Sequence, residues 1–168
     1  MNEKLSKYHL FENKERFHKS LMDEINRSVF KKKFNISGES VNGGFEVYNS
    51  VSFILFKPNF GPIIKLRVTY LGINEIESES IINLKRVNGM TFYAQYWFSL
   101  CFAILTLGVC TYQIVFNSYK DISIIMLPVF GIIYFLIINL IANNSVNSLK
   151  SRIEKILKTE KIKYNKFN

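Results

Sequence analysis

The chain has 168 residues, 48% hydrophobic and 21% charged, with a formal net charge of +9 and a sequence pI near 9.5. Those averages hide a division: 36 of the 50 residues in 93–142 are hydrophobic, against about 45 of the other 118. This excludes a single water-soluble domain, a low-complexity polymer and a disulfide scaffold, because Cys101 and Cys110 both lie in the apolar block.

The N-terminal stretch reads as an amphipathic helix within residues 1–30. Leu10, Phe17, Leu21, Ile25 and Val29 fall on one face, and Glu12, Lys14, Glu15, Arg16, Lys19, Asp23 and Glu24 fall mostly elsewhere. His9 and His18 are nine residues apart with no cysteine and no metal-ligand spacing, so surface histidines are the expectation. Met1–Lys19 carries charges throughout and does not read as a signal peptide.

Residues 31–90 turn to period two and predict a β-rich module. Phe34–Ser37 alternates, Asn42-Gly43-Gly44 marks a turn, and Phe45–Tyr48 alternates again. Ser52–Lys57 reads as a further strand, interrupted by Pro58, Gly61 and Pro62. Ile64, Leu66, Val68 and Tyr70 alternate with Lys65, Arg67 and Thr69, the pattern of a half-buried strand. Glu75, Glu77 and Glu79 read as a solvated edge, and Ser80–Val87 as the last strand of a meander of four or five.

Two uncharged runs follow. Tyr93–Phe116 is 24 residues and Ile122–Ala142 is 21, or roughly 36 and 31 Å as helices, each enough to cross a hydrocarbon core. Residues 117–121 form a short polar link, so the expected arrangement is an antiparallel transmembrane hairpin. Tyr93, Tyr96 and Trp97 at its start, with Tyr112 and Tyr119 near the turn, suit an interfacial aromatic belt. Residues 1–90 carry 14 Lys/Arg and 10 Asp/Glu, the link one of each, and residues 150–168 seven and two. The positive-inside rule then puts both termini in the cytoplasm of a multi-pass inner-membrane protein. The two cysteines are separated by a rise of roughly 13 Å on one helix and cannot pair with each other there.

Residues 143–168 predict a basic amphipathic helix. Leu149, Ile153, Ile156 and Leu157 form an apolar stripe, while Lys150, Arg152, Lys155, Lys158, Lys161 and Lys163 stay polar. Such a segment next to a span is expected to lie on anionic lipid headgroups. The fold class is therefore membrane α+β: N-terminal helix, antiparallel meander, two-helix hairpin, basic C-terminal helix.

No phosphate loop, nucleophile elbow, C-x-x-C or H-E-x-x-H motif is present, so no catalytic, cofactor or metal site is expected. The spans hold no Asp, Glu, His, Lys or Arg, which argues against a self-sufficient transporter. Nucleic acid is not an expected partner, since the basic residues flank apolar spans without a base-stacking motif. The candidate contact residues for a lipid or protein partner are Phe60, Pro62, Lys65 and Arg67 on the Phe60–Arg67 strand, and Lys150, Arg152, Lys155 and Lys158 on the tail. Ser99 and Ala103 make a small-xxx-small pair and Asn139 an interhelical hydrogen-bond candidate.

The segments Phe34-Asn35-Ile36-Ser37-Gly38, Gly44-Phe45-Glu46-Val47 and Asn59-Phe60-Gly61-Pro62-Ile63-Ile64-Lys65 resemble small uncharacterised bacterial membrane proteins that pair a short cytoplasmic β-rich module with two membrane helices. The family pattern has a Gly after its Phe-x-Pro-x-Ile element, where this chain has Leu66. The layout is also similar to YcxB-like and bacterial PH-like modules, which place the hairpin before the β domain. The resemblance implies no catalytic residues. Ile, Lys and Asn make up 56 of the 168 residues, as in AT-rich bacterial genomes. The expected role is a non-enzymatic interaction or anchoring module that meets headgroups, a protein partner or its own copy. An immunity protein against a membrane-directed toxin and an accessory subunit of a membrane complex are the alternatives.

Overall fold

The computed structural model describes residues 6–11, 14–50, 61–72, 80–116 and 122–167. The expected strand Ser52–Lys57, Phe60, the acidic run Glu75–Glu79 and the link 117–121 lie outside the described residues.

The elements run β1 (Ser6–Leu10), α1 (Lys14–Asn26), a 3-10 turn, β2 (Ile36–Val41), β3 (Gly44–Asn49), β4 (Ile64–Gly72), β5 (Ser80–Asn88), α2 (Met90–Phe116), a second 3-10 turn, α3 (Met126–Thr159) and β6 (Tyr164–Phe167). The six strands form one antiparallel sheet in the order β2-β3-β4-β5-β1-β6. Alternation decides its faces. Ile64, Leu66 and Val68 of β4 and Ile82 and Leu84 of β5 are buried, while Lys65, Arg67 and Lys85 point to the other side. The β2–β3 turn places Gly43 at φ +82°, a left-handed conformation that glycine adopts without a Cβ penalty.

The mixed α+β class holds, with three differences from the sequence reading. The N-terminal segment is not one helix over 1–30. Ser6, Tyr8 and Leu10 alternate inward on β1, which pairs with β5, and the helix is confined to Lys14–Asn26. Phe17 and Leu21 are buried as expected for a helix face, but Val29 lies in the 3-10 turn and is exposed. The sheet has six strands rather than four or five, because the two chain ends contribute β1 and β6 as neighbours. The C-terminal segment is not a separate helix: α3 continues without a break to Thr159, and residues Tyr164–Phe167 then form β6.

The physical reason for the last difference is a missing second layer. A sheet needs its apolar face covered, and α1 is short. Ile138, Ala142, Val146, Leu149, Ile153 and Ile156 recur at three- and four-residue steps along α3, and all are buried. This stripe packs across β3 and β4, with α1 beside it. The stripe expected on headgroups is thus spent in the protein's own core.

The connection from α1 to β2 is fixed by polar groups. The buried Glu24 carboxylate accepts from the backbone N–H of Lys33 and Phe34 at 3.1 and 2.6 Å. The Lys32 ammonium donates to the carbonyls of Glu24, Ile25 and Ile36, each at 2.8 Å. Burial lowers the Lys32 pKa, and the nearby Glu24 charge opposes that shift.

Before Ile138, α3 is different: Met126, Phe130, Ile132 and Leu136 are exposed, as is Leu140 just beyond it. So are Trp97, Phe98, Leu105, Val115 and Phe116 of α2. Both helices are long and apolar enough to cross a membrane. At the standard rise α2 is roughly 40 Å and α3 roughly 51 Å long.

Ile153 is fully buried at the sheet–α3 contact. Ile153→Ala is expected to destabilise the sheet domain by about 2–5 kcal/mol, read as a lowered thermal unfolding midpoint; an unchanged midpoint would show that α3 does not carry this core.

Candidate functional site

The sheet's outer face carries a cross-strand line of charge. Glu39 lies opposite Glu46, Glu46 opposite Arg67, and Arg67 opposite Lys85. The Lys65 ammonium bridges Glu39 at 2.5 Å and Glu46 at 3.2 Å. The Arg67 guanidinium donates to Glu46 through Nε at 2.9 Å and also through Nη2. Burial pushes the Glu46 carboxyl up, but hydrogen bonds from Arg67 and Lys65 outweigh it and hold it below the usual carboxylate range. The hydrogen bond to Glu39 raises the Lys65 pKa. Lys65 and Arg67, read as contact residues, are thus neutralised by neighbouring strands. Of their companions, Phe60 lies outside the described residues, and Pro62 is half-buried at the root of α2.

That root is tight. β5 passes into α2 through Gly89 alone, and a Cβ on Gly89 would stand 1.9 Å from the Pro62 carbonyl oxygen. Gly89 N–H donates to the Ile63 carbonyl at 2.9 Å.

The basic residues of α3 divide into two groups. Lys150 donates to the Ser6 hydroxyl and Arg152 to the Asn35 carbonyl, both at 2.7 Å, tying α3 to the start of β1 and to the entry of β2. Lys155 and Lys158 are exposed. Between Arg152 and Lys155, Glu154 accepts from the Tyr8 hydroxyl at 2.7 Å and from Lys166 at 2.9 Å, fastening β1 and β6 to the helix. Burial raises the Glu154 pKa, but those two hydrogen bonds outweigh it and the net shift is downward; burial, then the bond to Glu154, pushes the Tyr8 phenol well up.

In the helical pair, Ser99 is buried and its hydroxyl donates to the Tyr96 carbonyl of its own helix at 2.8 Å. Ala103 faces Gly131 of α3, where an added Cβ would lie 3.0 Å from the Ala103 Cβ. Asn139 donates to the Phe135 carbonyl, one turn back in the same helix, at 2.8 Å, so its amide serves α3 rather than α2. Cys110 Sγ donates across to the Ile124 carbonyl at 3.0 Å. A wholly apolar groove of about 280 Å³ is lined by Phe98, Ser99, Phe102, Phe130, Gly131 and Tyr134.

One residue stands out, Arg86, which enters the sequence reading only as one of the 14 basic residues counted in 1–90. Arg86 follows Ile82 and Leu84 on the inward face of β5, where an apolar residue is expected. Its Nε donates to Asn88 at 2.6 Å and its Nη1 to Asn143 of α3 at 2.8 Å. The guanidinium carbon lies 5.2 Å from the Phe92 ring centre. Nη2 is buried and, among the described residues, has no acceptor. Burial lowers the Arg86 pKa, partly offset by the nearby Tyr93 oxygen. Period-two reading of Ser80–Val87 contains the signal, since it places a cation at the fourth inward position, after Ser80, Ile82 and Leu84.

Among the described residues, no group of three His, Cys, Asp or Glu is placed to hold a metal ion. The arrangement is therefore one of charged and amide groups that join a sheet to two apolar helices, with a free acceptor requirement at Arg86.

Two outcomes are expected. Folded Glu46 titrates below its unfolded counterpart at about 4.5, so its stabilisation is complete above that pH and is lost as pH falls through the folded value. Glu46→Gln should flatten the acid-side fall of the unfolding midpoint; an identical pH profile would show that the Glu46 network contributes nothing. Gly131→Leu should force α2 and α3 apart at Ala103, seen as loss of crosslinking between engineered cysteine pairs across the two helices; full retention would contradict the close packing. No protein-family model, curated protein or solved structure matches this chain.

Proposed function

We propose that the chain is a two-span integral membrane protein of a bacterial inner membrane, with its sheet domain as a non-enzymatic anchoring and interaction module at the cytoplasmic face. The observation that carries this reading is the change of character along α3. One unbroken helix exposes Met126, Phe130, Ile132, Leu136 and Leu140, then buries Ala142, Val146, Leu149 and Ile153 in the sheet domain. Exposed apolar surface on that scale needs an apolar solvent. The first half of α3 and most of α2 find it in lipid, and the second half finds it in protein.

Two further features support the reading. β5 leads into α2, and α3 returns to the same sheet, so both ends of the hairpin are rooted on one side. The charge balance around the apolar segments favours the cytoplasm for that side: seven Lys/Arg against two Asp/Glu in residues 150–168. Lys155 and Lys158 remain exposed to meet anionic headgroups, whereas Lys65 and Arg67 are held by carboxylates. Ser99 and Ala103 serve the hairpin's own packing.

The test is topological. In a background with Cys101 and Cys110 replaced by Ala, single cysteines at Lys7 and Lys166 should resist a membrane-impermeant maleimide in intact cells and react after lysis. A cysteine at Ser118 should react in intact cells. The chain should also stay in the membrane fraction at alkaline pH. Release of the chain, or labelling of position 7 or 166 from outside, would overturn the proposal.

A further inference from the structure

We propose that Arg86, with Asn143 beside it, binds the phosphate of an anionic lipid headgroup. The inference rests on the membrane reading above and gives it a specific site.

Location is the first argument. Arg86 stands four residues before α2 begins, and Asn143 directly follows Ala142, where α3 has passed from exposed apolar surface into the sheet core. The pair therefore sits at the level where the apolar segments end, which is the headgroup level when those segments lie in a bilayer. Tyr93, close enough to Arg86 to act on its charge, and Trp97, one turn further along α2, are both exposed at the same level.

The second argument is chemical. Lys65 and Arg67 meet carboxylates. Arg86 meets only the amide oxygens of Asn88 and Asn143 and the face of Phe92, and among the described residues no carboxylate pairs with it. Among the described residues nothing neutralises its charge, and Nη2 has no acceptor. A half-buried guanidinium in that state favours an anion, because a phosphate oxygen forms a charge-assisted hydrogen bond with an N–H on its open edge. The amide side chains hold the fork by Nε and Nη1 without cancelling its charge. Asn143 is exposed, so an anion approaches along the Nη1 edge, and its Nδ2 is a donor for the same phosphate.

A lipid phosphate and free inorganic phosphate share this chemistry, and the position at the end of the apolar segments selects the lipid. The full chain, purified in an uncharged detergent, is heated with added phosphatidylglycerol, phosphatidylcholine or inorganic phosphate. Phosphatidylglycerol should raise the wild-type midpoint, and the other two should not. In Arg86→Gln the half-maximal phosphatidylglycerol concentration should rise about fivefold. Lys155→Gln, which removes one exposed charge of α3, should shift it less. Arg86→Lys keeps the charge and loses the fork, and should fall between wild type and Arg86→Gln; it carries the test if Arg86→Gln does not fold. An equal response in wild type and the Arg86 variants overturns the site, as does an equal effect of Lys155→Gln. A shift with inorganic phosphate alone overturns the lipid assignment. Retention at alkaline pH separates the two readings: a chain that stays in the membrane but fails the lipid test loses only this inference, and a chain released loses both.

Discussion

Burial of the α3 stripe on the sheet is the contact on which the other features depend. A six-stranded antiparallel sheet with one open face does not hold its shape alone, and α1 spans only Lys14–Asn26. Leu149, Ile153, Ile156 and Leu157 are each fully buried, and each aliphatic side chain removed from water contributes about 1.5–3 kcal/mol. The stripe also organises the ends of the chain. Glu154, on the same helix, receives Tyr8 of β1 and Lys166 of β6, and the helix's Arg152 reaches the carbonyl of Asn35 at the entry of β2. Remove the stripe and these polar ties lose the surface that positions them.

The same contact makes the molecule mechanically continuous. The helix that covers the sheet is the helix that packs against α2, with Gly131 on Ala103 and no break between. On the other side the sheet joins α2 through the single residue Gly89, whose missing Cβ lets the Pro62 carbonyl approach. The sheet domain therefore meets the helical pair at two close connections, the single residue Gly89 and the unbroken α3, rather than through a linker. In the proposed anchoring role, these two connections set how the outer sheet face sits relative to the helical pair.

Much of this was legible in the sequence where local pattern and local partner coincide. The alternation of Ile64, Leu66, Val68 and Tyr70 became β4, and the Asn42-Gly43 signal became the β2–β3 turn. The two uncharged runs became the long apolar helices. The terminal strands were not legible. β1 and β6 are five and four residues long, and their partners lie far along the chain. A run that short has too few repeats to show its period, and Leu10 shares its seven-residue spacing to Phe17 with a helix face. The α3 stripe was visible but ambiguous, because a lipid surface and a sheet ask for the same row of aliphatic side chains. The choice between them depends on whether the sheet has another cover, which is a property of the whole fold.

Arg86 shows how that ambiguity reaches the site. In the sequence it is one of several basic residues before an apolar run, and a topological role accounts for all of them. Only the sheet register separates it from Lys85, which points to the outer face, while Arg86 turns inward toward Asn143 and Phe92. On the outer face cations are met by carboxylates; where sheet and helices join, the acceptors are amides. A carboxylate there would cancel the guanidinium and repel an anionic leaflet. Amides do neither: they orient the fork while leaving its charge uncompensated. Neutral acceptors thus leave the charge available to the headgroup phosphate proposed above.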